Sequence, residues 1–285
     1  MQIYTFRLIG EIFICFVVLS PEIDEMNNQI FKKIALIGAG NIAWNLIPSF
    51  QQAGLKVVQL ISRSADKLER FQAAYQIAEI SKEVKNLKPE VDLVFLCLPD
   101  RMIMEVVEQL PATNAVVVHT SGSTALEALK VCAPHIGVFY PLQIFTQQKI
   151  ADMSQIPIFL EGEGEVLVGL DQLARKLSQQ VYHLHSEERL RLHLGAVMAC
   201  NFSNLMFKLA QEVLPIDLEL DFSIYEALIR EHIDKVLAFQ PENTQTGPAI
   251  RGDMETIDQH LNLLTDQPAI RKVYWELSRL INPNL

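Results

Sequence analysis

Three small residues, Gly38, Gly40 and Ala43, form a G-x-G-x-x-A pattern that follows an apolar β-type run and precedes a helical pattern. In such a turn the first glycine permits the bend, the second lets the backbone approach a pyrophosphate, and the third small residue keeps helix and strand close. The free N–H groups at the helix start, from Asn41 and Ile42, can donate to phosphate oxygens. The pattern predicts a dinucleotide-binding turn; the alternative is a tight turn that serves packing alone.

The residues after the next predicted strand indicate which dinucleotide is bound. An acidic residue at that point would accept hydrogen bonds from the ribose 2′-hydroxyl of NAD, but the sequence reads Ser62, Arg63, Ser64. A guanidinium between two hydroxyls suits a 2′-phosphate, so the predicted cofactor is NADP. The alternative for Arg63 is a solvated surface charge.

Two further loops follow central predicted strands and are expected to face the nicotinamide end of the cofactor. Leu98 and Pro99 belong to the first loop, and Ser121 to the second, as predicted cofactor contacts. Gly122 and Ser123 are predicted substrate contacts, because hydroxyl and N–H groups there can hold a carbonyl or carboxylate. Ordinary turn and N-cap chemistry is the alternative.

The elements that must position these residues alternate between strand and helix. This alternation predicts an α/β fold with a doubly wound, mainly parallel Rossmann sheet whose ligand crevice lies at the carboxyl ends of the strands. After about residue 185 the apolar spacing becomes helical, with one long helix to about Leu214, and predicts an all-α domain. The predicted domains are an N-terminal extension (1–29), a Rossmann NADP-binding domain (30–185) and a helical substrate and dimerisation domain (186–285). The predicted strands are 33–37, 57–61, 91–98, 115–118, 136–140, 157–160 and 181–184. Ser64 is the predicted N-cap of a helix at 65–74, and a further helix is predicted at 124–130. The later helices are predicted at 222–239, 254–264 and 268–280, with a loop at 240–248.

Composition narrows the function classes. The 285 residues suit two domains, and a formal net charge of −10 without a basic run argues against a nucleic-acid partner. Four separated cysteines form no C-x-x-C pair, so neither a zinc site nor a disulfide framework is indicated, and a reducing cytoplasm is the expected location. His183, His185 and His193 lack a credible set of further ligands, so no metal is predicted.

The N-terminal residues admit two interpretations. The segment from Leu8 to Leu19 is almost all apolar but contains Glu11 and is shorter than the roughly 20 residues that span a bilayer. It could be a signal or anchor. The preferred interpretation is that Met26 is the true start, because the residues before it add nothing that the fold needs; no membrane association is predicted.

Six segments of the chain resemble a known group, the Rossmann-like NADP oxidoreductases that carry a helical domain of unknown function. The likeness extends from about residue 30 to the C-terminus, and more distantly the chain is similar to the 6-phosphogluconate and β-hydroxyacid dehydrogenases, pyrroline-5-carboxylate reductase and the deazaflavin-linked NADP reductases. The resemblance implies NADPH binding, a helical domain that closes over the nicotinamide, and a homodimer formed through the C-terminal helices. The segments are Ile34–Ala43, Ser62–Ser64, His119–Ser123, Tyr140–Gln143, His193–Asn201 and Thr246–Asp253.

The catalytic residues of these relatives transfer less directly. The β-hydroxyacid dehydrogenases use a Lys four residues before an Asn on the interdomain helix, whereas Val197 stands four residues before Asn201 here. His193 is eight positions before Asn201, roughly 80° around a regular helix, and its side chain suits acid/base work. We therefore predict His193 as proton donor and Asn201 as a substrate-orienting group; the alternative is that both serve packing and helix contacts.

One further residue is a predicted substrate contact. Arg251 lies on a Gly-Pro-bent loop and could grip an anionic group or pair with an acid, while Asp253 is a predicted N-cap. Together these residues predict an NADPH-dependent oxidoreductase that reduces a small carbonyl or imine compound between the domains. The alternative is a non-catalytic NADP(H)-binding or regulatory protein.

Overall fold

The computed structural model describes residues 6–8, 11–13 and 30–285. Two short strands, β1 (Phe6–Leu8) and β2 (Glu11–Phe13), pair antiparallel. The rest of the predicted extension, including most of its apolar run and the alternative start, lies outside the described residues. The chain divides into two compact units, Met1–Leu194 and Gly195–Leu285. The predicted domain boundaries stay predictions.

The first unit is built on an eight-stranded sheet in the order β10-β9-β8-β7-β6-β3-β4-β5. Every neighbouring pair is parallel except β8 and β9, which are antiparallel. The predicted fold class, a doubly wound and mainly parallel sheet followed by a helical region, is confirmed. The strands are β3 (Lys33–Ile37), β4 (Lys56–Ile61), β5 (Glu79–Ser81), β6 (Leu93–Leu96), β7 (Val116–His119), β8 (Ile136–Pro141), β9 (Ile158–Gly162) and β10 (Val181–His183).

Apolar side chains cover both faces of this sheet. Along β3, Ile34 and Leu36 enter one buried cluster, and the alternating Ala35 and Ile37 enter another. This division follows from the two-residue period of a strand, and it explains why the central strands read as continuous apolar runs. The helices of the unit are α1 (Asn41–Gln52), α2 (Ala65–Tyr75), α3 (Asp100–Val107), α4 (Gly164–Leu177) and α5 (Ser186–Ala196).

Three elements differ from the sequence-based expectation. The strand β5 was not predicted, because its three residues, Glu79–Ser81, contain a single apolar side chain. The predicted helix 124–130 is a short 3₁₀ turn at Leu126–Leu129. Helical residues run from Ser186 to Glu212, as expected for the long helix, but Val197–Phe202 is π-helical. This wider turn interrupts the regular step on which the angular estimate between His193 and Asn201 depends.

The second unit is helical throughout its regular structure. Its predicted loop at 240–248 holds one 3₁₀ turn, Pro241–Asn243. Within the described part of the chain, no helix is both long enough and apolar enough to cross a membrane. The helices are α6 (Ser203–Glu212), α7 (Glu226–Phe239), α8 (Pro248–Arg251), α9 (Met254–Leu263) and α10 (Pro268–Ile281).

Candidate functional site

The glycine turn between β3 and α1 has the geometry that the motif requires. Gly38 has φ +110°, and its N–H donates to the Ile61 carbonyl at 2.8 Å. A Cβ at Gly38 would lie 2.2 Å from the Cys97 carbonyl oxygen, so only glycine fits. Gly40 is the N-cap of α1, and no side chain caps this helix N-terminus. Backbone N–H groups therefore stay available to an anion, as a pyrophosphate would need.

The side chains of the first helical residues serve the protein rather than the cleft. Asn41 Nδ2 donates to the Phe145 carbonyl at 3.0 Å, and Ile42 packs against the larger apolar cluster. Buried Asn45 donates to the Thr146 carbonyl at 2.8 Å. The loop after β8 is thereby tied to α1, and the N–H groups of Asn41 and Ile42 are the atoms that the glycine turn offers for their predicted contacts with a cofactor.

A cleft of about 910 Å³ opens beside this turn at the carboxyl ends of the strands. This volume lies in the range of small-molecule and cofactor sites. The predicted cofactor residues Gly38, Gly40, Ser62, Arg63, Ser64, Leu98 and Pro99 all line it, whereas Asn41, Ile42 and Ser121 do not.

Basic side chains gather around the predicted 2′-phosphate position. The Arg63 guanidinium lies 3.5 Å from the Glu105 carboxylate, and the Ser64 hydroxyl caps α2 by accepting from the Lys67 N–H at 3.4 Å. Sequence reasoning missed four other basic residues of the cleft. Two of them, Lys82 and Lys85, follow the unrecognised strand β5. The four are Lys67, Lys82, Lys85 and Arg101.

The loop after β7 is an internally bonded turn. The Ser121 hydroxyl accepts from the N–H groups of Ser123 at 3.1 Å and Thr124 at 2.9 Å. The Ser123 hydroxyl donates to the Asp100 carboxylate at 2.5 Å, which joins this loop to the start of α3. The two loops that were expected to face the nicotinamide are therefore in contact, and the hydroxyls of Ser121 and Ser123 are engaged within the protein.

A buried arginine binds the backbone carbonyls of this loop. Arg189 of α5 is 1% exposed and donates to the carbonyls of Ser121, Gly122 and Thr124 at 2.8–3.2 Å. Its guanidinium also pairs with buried Glu161 at 2.8 Å. Sequence reasoning missed both charged residues, since a single charge within a helical or strand pattern carries no local sign of burial.

Burial shifts the pKa of two titratable side chains near the loop. Burial, together with the nearby Arg189 charge, lowers the pKa of His119 to about 4. The imidazole is therefore neutral at physiological pH, and its Nδ1 accepts from the Ser121 N–H at 3.2 Å. Burial likewise raises the pKa of Tyr140. Both groups offer uncharged polar atoms at the carboxyl ends of their strands.

The predicted proton donor His193 meets a side chain that was not predicted to act with it. Its Nδ1 lies 3.2 Å from the Tyr140 hydroxyl at the end of β8. Gly122 lies against both rings, because a Cβ there would be 2.6 Å from His193 Nδ1 and 2.8 Å from Tyr140 Cζ. The first unit thus brings Gly122, Tyr140 and His193 together.

The two predicted site residues of the second unit are solvent-exposed there. Asn201 lies in the π-helical segment, and Arg251 ends α8 with its guanidinium 3.9 Å from Asp253. Asp253 is the N-cap of α9 and accepts from the Thr256 N–H at 3.1 Å, as predicted. Among the residues that the structure describes, no group of three potential ligands could hold a metal ion.

Comparison with known proteins assigns a family to each part of the chain. Residues 33–121 match the family described as "NADP oxidoreductase coenzyme F420-dependent", and residues 156–281 match a domain of unknown function, DUF2520. No curated protein matches the chain.

Solved structures extend this comparison over most of the chain. A Bacteroides fragilis protein described as a "putative NADP oxidoreductase" is 37% identical, with 89% of this chain and 98% of that chain covered and a TM-score of 0.80. A Thermotoga maritima protein is 23% identical, with 88% and 98% covered and a TM-score of 0.74. A reductive aminase from Aspergillus terreus, solved with NADPH and ethyl-5-oxohexanoate, is 14% identical, with 89% and 93% covered and a TM-score of 0.65. The last two show the fold.

The sheet and the glycine-turn cleft define a Rossmann-type NAD(P)-dependent oxidoreductase. The chain belongs to the family of the Bacteroides fragilis putative NADP oxidoreductase, and in this chain a match to the NADP oxidoreductase family is followed by a match to DUF2520. The predicted family resemblance is confirmed, and the predicted cofactor, NADP, is confirmed at the level of this family.

Proposed function

We propose that the protein is an NADPH-dependent reductase of a small molecule with a carbonyl or imine group. The observation that carries this proposal is the arrangement at one edge of the sheet. A glycine turn and a basic cleft lie beside a loop that joins Ser123 to Asp100 and contacts Tyr140 and His193. Bound NADPH supplies the hydride, and a reduced heteroatom then needs a proton from the protein.

The cofactor contacts follow from the cleft. Gly38 and Gly40 let the pyrophosphate approach the N–H groups of Asn41 and Ile42. Arg63 bonds the 2′-phosphate with the hydroxyls of Ser62 and Ser64 as neighbours, and the added lysines strengthen the field. Leu98, Pro99 and Ser121 would hold the nicotinamide end of the cofactor.

The substrate contacts are proposed from both units. His193 donates the proton, and Gly122 and Ser123 border the substrate in the first unit. Asn201 and Arg251 stay predicted contacts of the helical unit. The imine reductases and reductive aminases with the same fold support a C=O or C=N substrate class.

One observation favours a second candidate function. Val197 stands where the β-hydroxyacid dehydrogenases carry their catalytic Lys, and valine exchanges no proton. A protein that binds NADP(H) without turnover, as a sensor or regulator, would tolerate this replacement.

Cofactor titration followed by a substrate panel separates the two candidates. The panel contains keto acids, ketones, cyclic imines and ketone–amine mixtures, with NADPH absorbance as the readout. We expect NADPH to bind and at least one carbonyl or imine class to oxidise it. NADPH binding without oxidation across the panel would favour the regulatory function, and absence of binding would overturn both.

The proposed assembly is a homodimer formed through the C-terminal helices. In the second unit, large apolar side chains on α6 and α7 are exposed to a degree that an isolated unit rarely shows. Helices of this kind bury such faces against another surface, and a second copy of the chain supplies one of matching chemistry. The exposed residues are Leu205, Leu228, Ile233, Leu237 and Phe239.

A further inference from the structure

The hydroxyl of Tyr140 is the partner that the structure gives to His193. The atoms Tyr140 Oη and His193 Nδ1 are 3.2 Å apart, and the two rings meet edge-on with centroids 6.2 Å apart. Gly122 leaves the space for this contact, since any larger residue would place atoms within 3 Å of both rings. Three separate segments of the first unit thus form this contact, because Tyr140 and His193 supply the rings and Gly122 supplies the space.

Tyr140 is a firmly held member of this pair. Its ring packs in an apolar cluster with Leu126, Val138 and Phe159. Because burial raises the pKa of Tyr140, its phenol stays neutral and its oxygen can accept a hydrogen bond. A neutral phenol in a fixed place is suited to orient an imidazole.

The two nitrogens of His193 differ in their surroundings. Nδ1 contacts the Tyr140 hydroxyl, whereas Nε2 has no hydrogen-bond partner among the described residues of the first unit. Nε2 is therefore the nitrogen left for a substrate. The imidazolium carries a proton on each ring nitrogen. It acts as an acid at Nε2 when the other proton stays on Nδ1.

We propose that Tyr140 is a positioning residue that accepts the Nδ1 proton of His193 and so makes Nε2 the proton-donating atom. This inference rests on the proposed reductase function. When hydride adds to the carbon of a C=O or C=N group, the π bond breaks and its electron pair moves to the heteroatom. That atom takes the Nε2 proton of the imidazolium, which becomes a neutral imidazole with its proton on Nδ1. A proton taken up from solvent then restores the imidazolium, so one proton is consumed in each turnover.

The tautomer of His193 tests the proposal without any substrate. Full-length protein labelled with ¹⁵N-histidine is compared with Tyr140→Phe by NMR at a pH where the imidazole is neutral, with His193→Gln to assign the signal. We expect the proton on Nδ1 in the parent protein and a shift of population to Nε2 in Tyr140→Phe. Tyr182→Phe, which removes the hydroxyl of an exposed tyrosine on β10, should leave the parent signal.

A second variant tests the pair if Tyr140→Phe fails to fold. Gly122→Ala places a methyl group between the two rings and should give the same tautomer shift. An unchanged tautomer in the folded variant, or a parent protein with the proton on Nε2, would overturn the proposal.

Turnover measurements distinguish failure of this inference from failure of the proposed function. With an active substrate, Tyr140→Phe should lower kcat by about tenfold or more and leave KM for NADPH unchanged. An unaltered kcat would refute the positioning role. If no substrate of the panel makes the parent protein oxidise NADPH, the proposed reductase function fails. The tautomer measurement still decides the role of Tyr140 in that case.

Discussion

Arg63 presents its charge at the mouth of the cleft on a side chain that is 77% exposed. Its ion pair with Glu105, at 3.5 Å, is exposed as well, and such pairs contribute about 0–1 kcal/mol. A 2′-phosphate carries more charge and three acceptor oxygens, so it competes easily for the guanidinium. The exposed ion pair therefore leaves the Arg63 guanidinium available for the proposed contact with a 2′-phosphate.

We expect Arg63→Glu to weaken NADPH binding by about 10- to 100-fold, the equivalent of ~1.5–3 kcal/mol for lost hydrogen bonds to a charged group. NADH, which lacks the phosphate, should bind about as before. Fluorescence titration with both cofactors measures the difference. Lys130→Glu, a charge reversal beside Glu127, is the matched control. Equal losses for NADH and NADPH would contradict the assignment.

Arg189 is the residue on which the loop after β7 depends. Replacement by Met removes the hydrogen bonds that Arg189 donates to the loop carbonyls and leaves buried Glu161 without its counter-ion. We expect a loss of about 3–5 kcal/mol in the free energy of unfolding. Urea denaturation measures it, with Arg175→Met as control, because the exposed pair of Arg175 with Asp171 should contribute about 1 kcal/mol or less. Equal losses would show that the buried pair is unimportant.

At the scale of elements, the turn between β3 and α1 is the proposed contact with the cofactor pyrophosphate. Its tightness comes from the carbonyl of Cys97, which ends the neighbouring strand region and leaves no space beside Gly38. The loop after β8 is fixed to the same helix by Asn41 and Asn45. The position of α1, and of the N–H groups at its start, thus depends on the tight turn before it and on the loop after β8.

Gly38→Ala should disturb this turn more than a change of backbone preference alone. The new methyl group meets the Cys97 carbonyl at 2.2 Å and sits at φ +110°. We expect a loss of stability above the roughly 1–3 kcal/mol of a strained backbone position, together with loss of NADPH binding. Gly164→Ala is the control, because Gly164 also has a positive φ but open space around it. Calorimetric melting and NADPH titration follow both, and comparable effects would refute the steric argument.

At the scale of the whole molecule, the two units differ in how far their apolar side chains are exposed to solvent. The first unit buries large apolar side chains on both sides of its sheet. The second has few buried side chains, and its apolar residues on α6 and α7 are largely exposed. A monomer with this surface would be prone to association.

Light scattering coupled to gel filtration should give about twice the 32.3 kDa chain mass. Leu237→Asp places a charge on a side chain that is 73% exposed on α7, and it should shift the protein to monomers. Val131→Asp, at a 69% exposed apolar position of the first unit, should leave the dimer intact. A parent protein of single-chain mass would exclude the proposed assembly.

Several features of this protein are local, and the sequence alone predicted them. The glycine turn, the N-caps Ser64 and Asp253 and the alternation of strands and helices each depend on residues a few positions apart. Local patterns also have a limit, since the strand β5 contains a single apolar residue and produces no pattern, and the lysines after it were missed.

Only the tertiary structure decided which polar side chains meet. Tyr140 and His193 are 53 positions apart, and Arg189 lies 65 or more positions from the loop carbonyls that it binds. Such contacts depend on strand order, register and the packing of α5 beneath the loop, which no local spacing specifies. The sequence by itself determined a Rossmann-type fold with a glycine turn between its first strand and helix, and the tertiary structure decided which hydroxyl, imidazole and guanidinium lie at the edge of the sheet.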